Sequence, residues 1–260
     1  AHNNHVSDIA NCDKNKKKLY SYIKIKYKGA NNCISELRDK NGTFHQDAQT
    51  KANILNEQFC SVFSDPNQPT TLKEATEKGN VKQKMDEIIM TENGIKKVLL
   101  NLDENKATGP DAIPPRILKM CADELAPTLT MLFQASLDQG ILPEDWKEAH
   151  IIPIHKKGDK SIPENHRPIS LTSVCCKVME HILYSSIINH LDQNDVLVEA
   201  QHGFRSRRSC ETQLVTTCQD FINNLDQKGQ IDAVLLDFSK AFDKVDHMGL
   251  LSKMKHYGVS

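Results

Sequence analysis

The sequence predicts an α+β fold, and three observations carry that reading. Apolar residues recur at helical spacing through residues 91–140 and again from 174 to 191. After Trp146 the period changes to short apolar runs broken by proline. Near the carboxyl end, Ala233–Leu236 is apolar without alternation, as in a central strand covered by helices on both faces. With 260 residues the chain suffices for one large domain or two small ones. Its hydrophobic fraction of 38%, charged fraction of 26% and mean hydropathy of −0.51 describe a water-soluble globular chain with a polar bias. The formal net charge is −1, so any affinity for nucleic acid must rest on local basic clusters. No apolar run approaches the ~20 residues that span a bilayer, and no secretory leader is apparent in the polar stretch AHNNHVSDIANC.

The elements follow in order. KNKKKLYSYIKIKYKG interleaves Lys14, Lys16, Lys17, Lys18, Lys24, Lys26 and Lys28 with Tyr20, Tyr22 and Tyr27. Such a stretch can neutralise phosphates and stack on bases, or it is a solvated helix or linker. Ile54, Leu55, Phe59 and Val62 share a helical face, and DPNQPTTLKEATEKGN is a surface loop. Thr91 caps a helix whose stripe is Ile95, Val98, Leu99 and Leu102. NKATGPDAIPP ends it, and Pro114 and Pro115 open the next helix, which carries Ile117, Leu118, Cys121 and Leu125. A third helix, predicted to begin near Pro127, carries Leu129, Leu132, Phe133 and Leu137 and stops at Gly140.

HIIPIH and NHRPISL read as two strands around the KKGD turn, presenting Lys156, Lys157 and Arg167. Thr172 or Ser173 caps a long helix with its apolar face at Val174, Cys175, Val178, Met179, Ile182, Leu183, Ile187, Ile188 and Leu191. His181 and His190 fall on its polar side and are predicted to be solvated. A basic cluster, Arg205, Arg207 and Arg208, precedes a helix over Glu211–Leu225. The strand at Ala233–Leu236 then ends in Asp237.

The 8 cysteines include no C-x-x-C pair, and adjacent Cys175 and Cys176 make neither a disulfide nor a shared zinc site. Reduced thiols fit an intracellular setting. No repeat of 20 to 50 residues occurs.

Asp237 is read locally in two ways: a cap for the following helix, or a metal-binding carboxylate at a strand tip. Asp243 and His247 lie one helical turn apart, most simply on a solvated face. A phosphatase of the haloacid dehalogenase type would need a second aspartate two residues after Asp237, where Ser239 stands. The G-x-x-x-x-G-K-[ST], H-E-x-x-H and G-x-S-x-G motifs are missing, which excludes the usual nucleotide hydrolases, zinc proteases and serine hydrolases. A basic strand pair that can grip a triphosphate, followed by a carboxylate suited to Mg²⁺, fits phosphoryl transfer from a nucleotide.

Five stretches, in this order, carry a resemblance: NKATGPDAIPPRILK, ILPEDWKEAHIIPIHKKGD, NHRPISLTSVCCKVMEHIL, QHGFRSRRSCETQL and AVLLDFSKAFDKVDH. Together they resemble the reverse transcriptase region of LINE-type (non-LTR, jockey-like) retrotransposons. The resemblance implies a right-hand polymerase fold, of which this chain holds the fingers and the start of the palm behind a mostly helical amino-terminal extension. It implies an upstream linker region over 1–90, a helical lead-in over 91–149 that touches the template, fingers over 150–230, and the first part of the palm over 231–260.

The activity so implied is RNA-directed DNA synthesis with an RNA template, a DNA primer, deoxynucleoside triphosphates and two Mg²⁺ ions, inside the cell, in cytoplasm and nucleus as a ribonucleoprotein. Asp237 matches the catalytic aspartate that ligates both metals. Lys156, Lys157 and Arg167 match positions facing the triphosphate. Gln201, Gly203, Phe204 and Arg205 match the motif beside template and nucleotide. Phe242 matches the bulky residue under the sugar, where an aromatic ring leaves no room for a ribose 2′-OH. The family's second metal motif, an aromatic, any residue, then Asp-Asp, has no counterpart here. The expectation is therefore an incomplete and inactive portion of the enzyme, the alternative being a non-catalytic nucleic-acid-binding remnant.

Overall fold

The computed structural model describes residues 34–63 and 83–259. The Lys/Tyr segment at 14–28 and the loop at 65–80 lie outside the described residues. The described residues form two compact units, one of 34–58 together with 155–166, the other of 59–63, 83–154 and 167–259.

In the first unit, β1 (Leu37–Arg38) pairs antiparallel with β2 (Phe44–His45), Leu37 opposite His45. Asp39 builds the turn between them. Its Oδ1 accepts the backbone N–H of Asn41 and of Thr43, each at 2.9 Å, and its Oδ2 meets His45 Nε2 at 3.0 Å. His45 and these amides hold the Asp39 carboxyl below its usual range. Gly42, at φ +88°, supplies the left-handed turn residue. Helix α1 (Ala48–Cys60) follows, its first turn held by Thr50 N–H donating to Asp47 Oδ1 at 2.8 Å. Leu37 and Leu55 are buried, and Arg38 N–H donates to the Ser161 carbonyl at 2.8 Å.

The second unit is a helical core. Its helices are α2 (Glu92–Leu100), α3 (Pro115–Met120), α4 (Ala122–Gln139) and α5 (Val174–Gln193). Helix α2 packs against α3, α4 and α5. Ile95 and Leu99 from α2, Phe133 from α4 and Val178 from α5 are almost wholly buried, as the predicted stripes require. Phe133 meets Trp146 edge-to-face at 5.6 Å. The caps read from sequence are in place: Thr91 Oγ1 accepts Gly94 N–H, Ser173 Oγ accepts Cys176 N–H, and Gly140 closes α4 at φ +64°.

Three expectations are corrected. Helix α4 begins at Ala122 rather than near Pro127, because Ala122 and Ala126 extend the buried stripe toward the amino end, and α3 leads into it through Cys121. His190 is buried, not solvated, with Nε2 at 2.7 Å from the Tyr257 carbonyl. Ala233–Leu236 forms no strand: Val234, Leu235 and Leu236 are exposed, Leu235 at 95%. A central strand requires neighbours on both sides, and the described residues form only two sheets, β1 with β2 and β3 (His150–His155) with β4 (His166–Leu171). In a two-stranded sheet both strands are edges, which is why Pro153 and Pro168 are accommodated.

The TGPD loop between α2 and α3 has a steric reason for its glycine. A Cβ on Gly109 would lie 2.5 Å from the Thr172 carbonyl carbon and 2.6 Å from Ser173 N. Only a residue without a side chain lets this loop approach the start of α5 so closely. Helices α6 (Cys210–Asp226) and α7 (His247–His256) complete the described α-helices, and α6 buries none of its side chains. No helix among the described residues is long and apolar enough to cross a membrane.

Two outcomes are expected. Phe133→Ala, which empties a fully buried site, lowers stability by about 3–5 kcal/mol, read from the urea midpoint. Burial raises the Cys175 thiol and, with help from Glu180, pushes the Cys176 thiol up to about 11, so both stay protonated at pH 8. Exposed Cys210 and Cys218 are therefore alkylated by iodoacetamide well before them, as mass mapping of timed samples would show.

Candidate nucleotide and nucleic-acid site

Lys156 and Lys157 leave β3 into a turn of the first unit whose shape is tightly specified. Lys156 N–H donates to the Asn165 carbonyl at 2.8 Å. Gly158 sits at φ +79°, and a Cβ there would come within 2.8 Å of Asn165 Nδ2. Asp159 Oδ1 accepts both the backbone N–H and the hydroxyl of Ser161, at 2.8 and 2.9 Å, and these bonds hold its carboxyl below the usual range. His155 and His166 stack edge-to-face at the base of the turn, ring centres 5.6 Å apart. The two lysine side chains are exposed and have no ion-pair partner among the described residues. They are free to meet an anion.

In the second unit, Arg167 stands on β4, also exposed and unpaired among the described residues. The turn carrying Gln201, Gly203, Phe204 and Arg205 is pinned from two sides. Gln201 Nε2 donates to the Gly203 carbonyl at 3.1 Å. Arg205 Nη2 meets Asp192 Oδ1, near the end of α5, at 3.2 Å. The Arg205 side chain is only 17% exposed, and its buried Nη1 has no hydrogen-bond partner among the described residues. Between these anchors Phe204 adopts φ +60°, a conformation costly for an aromatic residue, with its ring 81% exposed. Arg208 donates to the Glu199 carbonyl, and His202 Nδ1 lies 2.8 Å from Thr212 Oγ1. Ser209 and Thr212 then form a capping box that starts α6.

The structure brings two of the matched motifs together at one point. The Phe204 and Phe242 rings meet edge-to-face, centres 5.8 Å apart and planes at 80°. Asp237 lies on the same segment as Phe242, exposed to solvent, with no hydrogen-bond or ion-pair partner among the described residues. It does not cap a helix: that task falls to Asp246, whose Oδ1 accepts Met248 N–H at 3.1 Å. The described residues contain no group of three His, Cys, Asp or Glu side chains able to hold a metal ion. Asp237 alone does not fit a two-metal site, so no chemical step is assigned to Mg²⁺ from this geometry. Asp192 has no sequence signal of its own, because its role comes from a partner on a separate turn.

Residues 154–260 match the reverse transcriptase (RNA-dependent DNA polymerase) family. The chain is 31% identical over 162 residues to the RNA-directed DNA polymerase from mobile element jockey of Drosophila melanogaster, an alignment covering 62% of this chain and 18% of that protein. It is 31% identical over 172 residues to the probable RNA-directed DNA polymerase from transposon BS of the same organism, covering 64% and 19%. An uncharacterized 149 kDa protein of transposon TX1 from Xenopus laevis aligns over 95% of this chain at 26% identity, again over 19% of its own length. The chain thus spans about a fifth of the curated relatives it matches.

Asp192→Ala would leave a largely buried guanidinium without its carboxylate. A drop in stability of about 1–3 kcal/mol is expected, together with faster proteolytic cleavage in the 201–208 turn, read by limited trypsin digestion and mass mapping.

Proposed function

We propose that this chain, whose residues 154–260 match the reverse transcriptase family, is part of the RNA-directed DNA polymerase of a non-LTR retrotransposon. The observation that carries the reading is the family match joined to five ordered motifs that end in AVLLDFSKAFDKVDH. In this reading residues 1–90 link to an upstream region, 91–149 are the lead-in, 150–230 the fingers and 231–260 the first part of the palm. The protein works inside the cell on an RNA template and a DNA primer.

Its own residues would divide the work as follows. Lys156 and Lys157 offer compact charges to the triphosphate, and Arg167 offers a planar fork of donors. Gln201 and Arg205 belong to a turn beside template and nucleotide. Phe242 lies under the incoming sugar, where its ring excludes a 2′-hydroxyl. The primer 3′-oxygen forms a bond to the α-phosphorus of the deoxynucleotide, and the bond to the β-phosphate oxygen breaks, releasing pyrophosphate. Asp237 would be one ligand of a Mg²⁺ ion, which would neutralise charge on the phosphates; the described residues do not assemble the other ligands.

A second reading is a nucleic-acid-binding remnant without chemistry, which the exposed Lys156, Lys157 and Arg167, unpaired among the described residues, would serve equally. The two separate experimentally. In a polymerase of the relatives' full length carrying this segment, Asp237→Asn is expected to reduce primer extension by at least about 10³-fold while leaving RNA binding intact. Near-normal extension by that variant would remove Asp237 from the chemistry. RNA binding indifferent to Mg²⁺, with no extension even before substitution, would favour the remnant.

A further inference from the structure

The dipeptide Asn-Gly occurs twice in the sequence, at Asn41–Gly42 and at Asn93–Gly94. In this pair the asparagine side chain is open to attack by the next backbone nitrogen, because glycine puts no Cβ in the way. The intrinsic chemistry of the two is the same. The fold treats them differently, and neither asparagine has a part in the site described above.

Asn41 and Gly42 form the tip of the turn between β1 and β2. Lys40, Asn41, Gly42 and Thr43 are all exposed, and a Cβ placed on Gly42 would meet nothing within 4 Å. The bonds that shape the turn all run to Asp39. Its carbonyl accepts Gly42 N–H at 3.0 Å, and its Oδ1 accepts the N–H groups of Asn41 and Thr43. These bonds lie at the surface, where water replaces them when the turn opens. The Asn41 side-chain amide has no hydrogen-bond partner among the described residues. Asn93, by contrast, sits in the first turn of α2. Gly94 N–H is held there by Thr91 Oγ1 at 3.2 Å, and Ile95 N–H by the Thr91 carbonyl at 3.0 Å. Ile95 is wholly buried. Rotating the backbone at 93 to bring Gly94 N onto the Asn93 side chain would draw Ile95 out of the core. The reactive form is therefore at least about tenfold rarer in α2 than in the exposed turn.

We infer that Asn41 is a site of spontaneous deamidation and that Asn93 is spared by the fold. Gly42 N loses its proton to hydroxide and forms a bond to Asn41 Cγ. The Cγ–Nδ2 bond breaks, and ammonia leaves with a proton taken from water, closing an imide ring. Water then opens the ring at either carbonyl, giving aspartate or isoaspartate. Isoaspartate routes the main chain through the side chain and lengthens the turn by a methylene. Asp39 Oδ1 can then no longer hold the amides of residues 41 and 43 together. The loosening reaches the Lys156–Lys157 turn, because β1 donates Arg38 N–H to the Ser161 carbonyl and Ser161 N–H donates to Asp159. The inference stands apart from the polymerase reading.

The test uses the purified 260-residue chain, aged in mildly alkaline buffer and mapped peptide by peptide by mass spectrometry. Isoaspartate is scored by enzymatic methyl transfer to its carboxyl group. In the folded chain Asn41 should convert at least about tenfold faster than Asn93. In concentrated denaturant the two should convert at similar rates. Hydrogen exchange at the Arg38 amide should quicken in the aged protein but not in aged Asn41→Gln. The Asn41 side chain is exposed, and equal thermal midpoints before ageing would verify that the variant keeps the fold.

Conversion of Asn93 as fast as Asn41 in the folded chain overturns the inference. So does an Asn41 that keeps its amide while the unfolded chain converts, because the bonds to Asp39 would then be protecting it. Unchanged exchange at Arg38 in fully converted protein overturns the link to the Lys156–Lys157 turn. None of these results depends on Asp237, on RNA or on nucleotide incorporation, so failure here and failure of the polymerase reading are told apart.

Discussion

The second unit depends on the burial of one face of α2 between α4 and α5. Ile95 and Leu99 are fully shielded there, with Phe133 and Val178 closing over them. Each such side chain contributes roughly 1.5–3 kcal/mol when taken out of water, which is enough to hold a helix of only 9 residues that would not persist alone. The details around it serve that burial. Thr91 starts α2 in the required phase, Ser173 starts α5, and Gly109 lets the intervening loop close to the backbone of Thr172 and Ser173. The same two helices carry exposed Lys97 and Lys177 on their outward sides.

What is legible in the sequence is local. Helical stripes, hydroxyl caps and the terminating Gly140 depend on neighbours within a few residues, and all are readable. What escapes depends on distant partners. His190 has the spacing of a solvated residue, yet its ring is covered because Tyr257, 67 residues later, offers a carbonyl. Arg205 carries the signature of a ligand-binding arginine, while its pairing with Asp192 is visible only in space. Pro127 has the look of a first-turn proline, but the buried alanines at 122 and 126 extend α4 toward the amino end.

Apart from Arg167 on β4, the motif residues lie outside helices and strands. Their surroundings differ in kind. The Gln201–Arg205 turn is held by a backbone contact, an ion pair and a strained Phe204, so it is shaped before any ligand arrives. The Lys156–Lys157 turn is likewise fixed, by Gly158, Asp159 and Asn165. The segment around Asp237 has no comparable support among the described residues; its one ring contact there is Phe242 with Phe204. The two basic turns are thus more firmly shaped than the segment around Asp237.

The bare apolar run at Val234–Leu236 also bears on how the protein behaves in solution. Short β-prone segments with unsatisfied backbone groups invite pairing between copies. Here the run is bracketed by Asp232 and Asp237, both exposed, and like charges brought into register along stacked chains oppose that pairing. Asp237 is in this sense a gatekeeper against self-association as well as a candidate for chemistry. Neutralising it removes one of the two flanking charges, so a fall in signal from an Asp237→Asn protein has two physical sources: an altered reaction, and less monomer in the tube.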